Sequence, residues 1–414
     1  MFKKFWLDTI LGTLFIMLFA WGVSQITAFK IMEIFDPVGD VFADMESTDI
    51  VFSQMRKPPL AEEDIILVNI GNLSRGEIGT MVNIINAYNP KVIGIDTFFK
   101  NPKEDTLGDM ILAEAFARVK NLILVSKLLQ PNDIGSFDSL GLSNPMFSWN
   151  AKSAFANLIT GADLQEDLKA CRTFAPRETV NGKYEYALAV KLALEMDSLK
   201  AQRFLDRNNN VEVINYKGNI IDYGATKYGT TYFALDTYDV MYENFTPDLI
   251  EGKCVIFCYM GEHLGDRAAL EDKYFTPINE KYVGKAHADM FGGVVHANAL
   301  SMILNENYID KMSDWAAYFW AVLLLYINVV VFSFIYKRLP KWYDGLTKLL
   351  QVAQALSLFF LVLVVFDKYN YHLEVNLAII LILISGDILE IYYGVIRNLF
   401  SKEGRKDLTR LKKL

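Results

Sequence analysis

The stretch IILVNIG (Ile65–Gly71) decides the fold, together with the segment Leu73–Tyr88 and the stretch KVIGID (Lys91–Asp96) that follow it. Apolar residues recur at helical spacing through Leu73–Tyr88, and Asn89-Pro90 ends that helix. Strand, helix and strand in this order predict a βαβ unit. Because both strands are apolar throughout, we expect burial on both faces. The fold class predicted is an α/β domain with a mainly parallel sheet and flanking helices, in which these two strands are parallel neighbours.

Polar side chains stand at the ends of both predicted strands. Asn69 lies near the end of the first strand, and Asp96 lies at the end of the second. Ligands of parallel α/β sheets bind beyond the carboxyl ends of the strands. Asn69 and Asp96 are therefore the first candidate ligand-binding residues.

Apolar runs outside this domain predict a membrane protein. They are Phe5–Phe29, Trp315–Tyr336, Leu346–Phe366 and Val375–Val395, and each is long enough to cross about 30 Å of hydrocarbon. The first run has a long apolar part and no convincing small-x-small cleavage site before Lys30, which favours an uncleaved signal anchor. A cleaved signal peptide is the alternative. The sequence thus predicts an α-helical membrane domain of four spans.

Basic residues predict the orientation of these spans. The turn between the third and fourth runs has Lys368 as its only Lys or Arg, whereas three basic clusters fall on the other side of the membrane. The clusters are Lys3 and Lys4, then Lys337, Arg338 and Lys341, then Arg397, Lys402, Arg405, Lys406, Arg410, Lys412 and Lys413. Both termini are therefore expected in the cytoplasm. The predicted domains are a signal anchor (1–29), an extracytoplasmic domain (30–314), three transmembrane helices (315–396) and a basic cytoplasmic tail (397–414).

Composition and motifs argue against several function classes. Lys and Arg total 41 against 49 Asp and Glu, and no basic-aromatic pattern indicates nucleic acid binding. Cys254 and Cys258 share one predicted strand, about 13 Å apart, which is too far for a disulfide between them. The metal-compatible residues match no ligand signature, and the sequence has no P-loop or Gly-x-Ser-x-Gly motif; the former are Glu262, His263, Asp266, His287 and Asp289. We therefore expect no metal, no cofactor and no enzymatic activity.

Several short elements occur in the order typical of a known family. They are Ile66–Ile70, Val92–Asp96, Ile214–Gly218, Gly252–Ile256, Asp266 with Thr276-Pro277, and Gly293–Leu300. With one span before the domain and three after it, the sequence resembles the type-two CHASE domain from about Ile31 to Val395. This extracellular sensor module is found on bacterial cyclases and sensor kinases. The resemblance implies a sensor or ligand-binding domain outside the bacterial inner membrane.

The sequence departs from the family pattern at three places. Asn69 stands where relatives usually have an acidic residue, and Gly292 stands where they usually have Pro. Relatives often continue into a cyclase, kinase or phosphatase, whereas about 18 residues follow the last predicted span here. We therefore expect a separate membrane or cytoplasmic partner protein to carry the output.

Landmarks of the resemblance supply the remaining candidate ligand-binding residues, Asp266, Thr276, His296 and Asn298. His296 is expected where a turn enters a helix, at a position where helix N–H groups are available to a ligand. The alternative is a histidine that bonds to a neighbouring loop and fixes the turn.

Two acidic residues lie inside the fourth predicted span. Asp387 and Glu390 are one helical turn apart and share a face. Acids in a span usually face protein or water, so a proton or ion path and simple hydration at the interface both remain open. In the tail, Leu408, Leu411 and Leu414 could bind anionic lipid or a partner helix, or the tail could simply fray.

The function predicted is a membrane-anchored extracytoplasmic sensor that signals through a separate partner. The alternative is a structural or scaffold subunit of a bacterial envelope complex, whose periplasmic domain binds protein. An enzyme or transporter is the least favoured class. Besides the lipid bilayer and the output partner, we expect homo- or hetero-oligomers and no nucleic acid.

Overall fold

The computed structural model describes residues 2–25, 47–57, 59–131, 137–158, 170–220, 231–266, 268–279 and 287–397. The chain divides into two compact units, one within Asp44–Ile309 and one within Met1–Ala43 and Asp310–Leu414. Residues 26–46 and the tail from residue 398 lie outside the described residues, and so do Leu408, Leu411 and Leu414.

A mixed sheet with flanking helices forms the first unit, as expected. Its strands are β1 (Glu62–Asn69), β2 (Val92–Ile95), β3 (Leu122–Pro131), β4 (Phe137–Gly141), β5 (Lys152–Phe155), β7 (Arg177–Val180), β8 (Lys183–Tyr186), β10 (Tyr232–Leu235) and β11 (Cys254–Cys258). The strand order is β10-β1-β11-β2-β3-β4-β7-β8, and β5 also pairs with β3. The strands from β10 to β3 run parallel. Two smaller sheets pair β6 (Thr173–Phe174) with β9 (Glu212–Val213), and β12 (Lys273–Tyr274) with β13 (Met290–Phe291).

The expectation that β1 and β2 are neighbours is wrong. Both strands are buried and parallel, but β11 lies between them, so that Phe257 pairs with Val68 on one side and with Ile95 on the other. A βαβ pattern predicts parallel strands and a crossover helix, but not whether the crossover skips a position in the sheet. β11 fills the skipped position because Cys254–Cys258 is as apolar as its two neighbours.

Helices cover both faces of this sheet. They are α2 (Ser47–Ile50, continued by a π-helical turn Val51–Met55), α3 (Arg75–Ala87), α4 (Thr106–Arg118), α5 (Pro145–Ser148), α6 (Leu188–Met196), α7 (Ser198–Asp206), α8 (Thr237–Met241) and α9 (Gly292–Leu304). Side chains of α3 and α4 share one core with β1, β2 and β11. On the other face, a side chain at Gly94 would meet Leu192 of α6 at 3.0 Å, and α9 packs on β1 and β11.

Local sequence explains how α3 begins and how it packs. Ser74 Oγ accepts a hydrogen bond from the backbone N–H of Glu77 at 3.4 Å, and Glu77 Oε2 accepts one from the backbone N–H of Ser74 at 2.8 Å. This capping box starts the helix at Arg75 rather than at the predicted Leu73. Gly79 lets α4 approach closely, because any side chain there would come within 2.9 Å of Leu112 Cα.

Long apolar helices make up the second unit. They are α1 (Phe2–Ser24), α10 (Asp314–Arg338), α11 (Tyr343–Tyr369) and α12 (Asn376–Ile391, continued by a π-helical turn Tyr392–Ile396). Among the described residues, four helical segments are long and apolar enough to cross a membrane, which agrees with the four predicted spans. A short pairing of β14 (Asp310–Lys311) with β15 (Tyr371–His372) joins the start of α10 to the turn between α11 and α12.

Polar contacts tie these helices together inside the second unit. Tyr343 Oη donates to the carbonyl of Gly386 at 2.8 Å, and Gln351 Nε2 donates to the carbonyl of Ile382 at 2.9 Å. In a lipid bilayer the solvent is as apolar as the side chains, so hydrogen bonds between helices help to hold them together. α1 joins the same core through Ile16, which is fully buried.

Candidate functional site

Asn69 lies at the carboxyl end of β1 and uses every hydrogen-bonding position of its amide. Its Nδ2 donates to Asp236 Oδ1 at 3.0 Å and to the carbonyl of Gly261 at 3.1 Å. Its Oδ1 accepts from the backbone N–H groups of Gly71 at 3.0 Å and Met260 at 2.9 Å. The side chain is 0% exposed. Asn69 therefore joins the loops after β1 and β11 to the start of α8.

Asp266 closes the loop that follows β11. Its carboxylate accepts hydrogen bonds from the backbone N–H groups of Ala268 at 2.8 Å and Glu262 at 3.4 Å, and these bonds lower its pKa. Gly261 contacts both Asp266 and Asn69. Its φ of +91° and the 3.0 Å approach of Asp266 Cβ to the position of a Gly261 side chain both require glycine. The structure thus brings Asn69 and Asp266 into contact with the same glycine.

Asp96 follows β2 and faces the first turn of α9. Its Oδ2 lies 3.7 Å from the position that a side chain on Gly293 would take. Within the described residues no hydrogen bond reaches this carboxylate, and burial raises its pKa to about 7. Cys258 at the end of β11 packs against the same glycine, and burial followed by the charge of Asp96 raises the pKa of its thiol.

A second carboxylate that the sequence did not single out lies beside Asp96. Asp272 precedes β12, and its carboxylate oxygens lie 2.9 Å from the position that a side chain on Gly292 would take. Burial, and next the negative charge of Asp96, raise the pKa of Asp272 to about 7. Gly292 and Gly293 therefore let two acids approach the amino end of α9, where the helix dipole favours negative charge.

His296 lies in the second turn of α9 rather than at the entry to the helix, because the helix begins at Gly292. Its ring donates a hydrogen bond to the backbone carbonyl of Ala156, and burial lowers its pKa to about 4. The imidazole is therefore neutral at physiological pH. Ala156 belongs to the loop after β5. The contact therefore matches the alternative expectation, in which His296 bonds to a neighbouring loop.

Asn298 fixes the loop after β9 from the same helix. Its Oδ1 accepts hydrogen bonds from the backbone N–H groups of Lys217 at 2.8 Å and Gly218 at 3.2 Å. Its Nδ2 donates to the carbonyl of Gly218 at 3.0 Å and to that of Val294 at 2.9 Å. The amide spans two elements that are about 80 residues apart in the chain.

Thr276 belongs to a separate buried cluster. Its hydroxyl donates to Asp289 Oδ2 at 2.5 Å, and its backbone N–H donates to Asp289 Oδ1 at 2.9 Å. Asn279 Nδ2 donates to the same oxygen at 3.2 Å. Burial raises the pKa of Asp289 to about 7 despite these bonds. The candidate residues that form hydrogen bonds thus belong to several separate networks, in which their partners are other residues of the domain.

Two further findings bear on binding chemistry. Within the described residues, no group of three or more His, Cys, Asp or Glu side chains lies close enough to hold a metal ion. The α/β unit also contains a cavity of about 480 Å³ whose lining includes none of the predicted site residues. Sequence reasoning missed this cavity because its walls come from three segments far apart in the chain.

The acids of the fourth span lie on the outside of the helical unit. Asp387 is exposed, and its Oδ2 pairs with Lys348 Nζ of α11 at 2.5 Å. Glu390 is exposed on the same face of α12, one turn further along. These positions do not form a path through the interior of the four helices.

Comparison with known families gives one result. A family model of the CHASE2 domain matches residues 31–335, which is well over half of the chain. The chain belongs to the CHASE2 domain family. CHASE2 is a sensor-domain family, so the resemblance noted from the sequence is confirmed. Searches against curated proteins and against solved structures gave no match.

The CHASE2 match covers the whole sheet of the α/β unit and extends into α10. A sensor-domain family combined with four apolar helices indicates a membrane protein with an extracytoplasmic domain.

Proposed function

We propose that this CHASE2 protein is a membrane-anchored sensor whose α/β domain lies outside the cytoplasm and whose signal passes to a separate protein. The observation that carries the proposal is the CHASE2 match, which spans a domain placed between one candidate transmembrane helix and three others. Signals received by such a domain reach the cytoplasm through the helices attached to its two ends.

Ion pairs within the helical unit support the proposed orientation. Asp8 of α1 is buried, and its Oδ2 lies 3.5 Å from Lys337 Nζ at the end of α10 and 3.1 Å from Arg397 Nη2 after α12. The start of α1, the end of α10 and the end of α12 therefore meet at one end of the unit. That end carries the basic residues from which the sequence predicts a cytoplasmic side. We assign it to the cytoplasmic face of the bacterial inner membrane.

This orientation limits where a partner can read the signal. Basic clusters lie in or beside the segment between α10 and α11, residues 339–342, and in the residues after α12. Asp387 and Glu390 add an exposed acidic face near the end of α12. We propose that a membrane or cytoplasmic partner binds at these surfaces and that the protein binds its stimulus without catalysing a reaction.

Site-specific photo-crosslinking in living cells tests this function. A photoreactive amino acid replaces Asp344, which is exposed at the start of α11, and cross-linked proteins are quantified under different growth conditions. A sensor predicts a partner adduct whose yield changes with conditions. A constant, stoichiometric adduct would contradict the sensor and would indicate a scaffold subunit of a permanent complex.

A further inference from the structure

The cavity in the α/β unit is built from the two ends of that unit. Its lining includes residues between 56 and 60, which lie between α2 and β1, and residues between 301 and 307, which end α9 and follow it. Asn215, Tyr216 and Lys217 complete the wall. A volume of about 480 Å³ is within the usual range of small-molecule sites. The size therefore suits a small metabolite rather than a protein segment.

Cationic side chains outnumber acidic ones among the described residues that line the cavity. Arg56, Lys57 and Lys217 carry positive charge, whereas Glu306 is the acidic member of the lining. The charge of Lys217 is paired with Glu62 behind the cavity wall at 2.9 Å, so Arg56 and Lys57 set the charge that faces the cavity. Glu306 is already held by Arg203, which donates to its two oxygens at 2.6 and 3.0 Å. The lining therefore favours an anion over a cation.

A buried glutamate organises one side of the cavity. Glu62 Oε2 accepts hydrogen bonds from Lys217 Nζ at 2.9 Å, Ser301 Oγ at 2.5 Å and Asn305 Nδ2 at 3.1 Å. The hydrogen bonds from Ser301 and Lys217, with the charge of Lys217, lower the pKa of Glu62 against the opposing effect of its burial, which is the largest single effect. Glu62 thus positions three side chains of the cavity lining.

Arg56 is held in place on the opposite side of the cavity. Its guanidinium bonds to Asn215 Oδ1 and lies 4.2 Å from the ring centre of Phe52. Asn215 is itself fixed, because its Nδ2 donates to the carbonyl of Asn307 at 3.0 Å. A planar guanidinium with a fixed orientation matches the paired oxygens of a carboxylate or a phosphate. Lys57 is exposed and makes no ion pair within the described residues.

We propose that this cavity binds a small anion with a carboxylate or phosphate group, which Arg56 and Lys57 contact from the segment between α2 and β1. The consequence for signalling rests on the proposed sensor function. Asn307 is two residues from the end of the α/β unit, and α10 begins at Asp314. An anion that bridges residues 56–57 and 301–307 links the chain that comes from α1 to the chain that enters α10.

Binding of citrate and inorganic phosphate to the full-length protein tests the site. The protein is placed in phosphatidylcholine nanodiscs at physiological salt, where non-specific attraction between exposed charges is screened, and binding is measured by isothermal titration calorimetry. The variants are Arg56→Gln and Lys57→Gln. The matched control is Lys120→Gln, which removes the same charge from an exposed lysine outside the cavity lining.

We expect saturable binding of at least one of these anions, weakened about tenfold or more by Arg56→Gln because a charge-assisted contact is lost. Lys57→Gln should weaken binding about threefold or more, since one charge contact is lost, and Lys120→Gln should leave it unchanged. If Arg56→Gln unfolds the domain, the Lys57→Gln variant still tests the site, because Lys57 takes no part in the hydrogen bonds around Asn215. Binding that survives in both cavity variants would overturn the proposal.

A parallel preparation in phosphatidylglycerol nanodiscs separates a lipid head group from a dissolved anion. An increase in thermal midpoint in phosphatidylglycerol that Arg56→Gln and Lys57→Gln remove, with no binding of citrate or phosphate, would assign the same site to a lipid head group. Absence of binding to all three probes would show that the cavity is not an anion site. If anions bind but no cross-link at residue 344 responds, the cavity stands and the signalling role fails. If the cross-link at residue 344 responds but no anion binds, the sensor function stands and the anion site fails.

Discussion

Replacement of Asn69 by Asp should destabilise the α/β unit strongly. The substitution removes both N–H donors of the amide, so that the carbonyl of Gly261 loses its partner at 3.1 Å. Asp236 Oδ1 loses the donor at 3.0 Å but keeps its hydrogen bond from the backbone N–H of Thr237 at 2.9 Å. An unsatisfied buried polar group costs about 1–3 kcal/mol. The loss at the Gly261 carbonyl, together with repulsion between the carboxylates at positions 69 and 236, gives about 3 kcal/mol at neutral pH.

Pulse proteolysis in urea measures this loss on the full-length protein in nanodiscs, because cleavage reports unfolding of the α/β unit separately from the membrane helices. The double variant Asn69→Asp/Asp236→Asn exchanges acid and amide, so that residue 236 can donate to residue 69. It should recover at least half of the loss, and the loss from Asn69→Asp alone should shrink at acidic pH, where a protonated carboxyl donates again. A loss below about 1 kcal/mol, or strictly additive effects, would show that this network does not stabilise the fold.

Three other predictions follow from the structure. Ile95→Asp should cost several kcal/mol of unfolding free energy, against about 1 kcal/mol for Ile95→Val, because residue 95 is fully buried at the centre of the sheet; similar urea midpoints for the two variants would contradict the fold. The pKa of Asp96 is raised from 3.8 to about 7 in the folded state, so its ionisation lowers stability progressively between about pH 4 and pH 7. Asp96→Asn should therefore stabilise by about 1–2 kcal/mol above pH 7 and have little effect near pH 4; thermal midpoints that show no such pH dependence would refute this. Deletion of residues 401–414 should abolish partner binding but leave membrane insertion intact; co-purification of the truncated protein with its full set of partners would exclude the tail as the main binding site.

Chain-local patterns predicted most of the architecture. The apolar run that forms β1, the helical spacing that forms α3 and the long runs that form α1 and α10 depend on neighbours within a few residues. The sequence between their ends is therefore enough to recognise them. The position of β11 between β1 and β2 was not predictable in this way, because its pairing partners lie about 160 to 190 residues away in the chain.

The candidate site was predicted less well, for the same physical reason. Asn69 and Asp96 do lie at the carboxyl edge of the sheet, as the rule for parallel strands predicts. Asp272, however, lies near enough to Asp96 to feel its charge, and both acids approach α9 where Gly292 and Gly293 have no side chains. The cavity combines Arg56 with residues near positions 216 and 305. No local pattern marks an arrangement that depends on tertiary packing.

Labelling of single cysteines in cells tests the central claim, that the α/β domain lies outside the cytoplasm and the basic end of the helices inside. The native residues Cys171, Cys254 and Cys258 are buried, so they give a low background. Leu142 is 53% exposed in the α/β unit, and Asp344 is exposed at the start of α11. With a membrane-impermeant maleimide and a permeabilised outer membrane, Leu142→Cys should react in intact cells, whereas Asp344→Cys should react only after lysis. Labelling of Asp344→Cys but not of Leu142→Cys in intact cells would contradict the orientation and, with it, the assignment of an extracytoplasmic sensor.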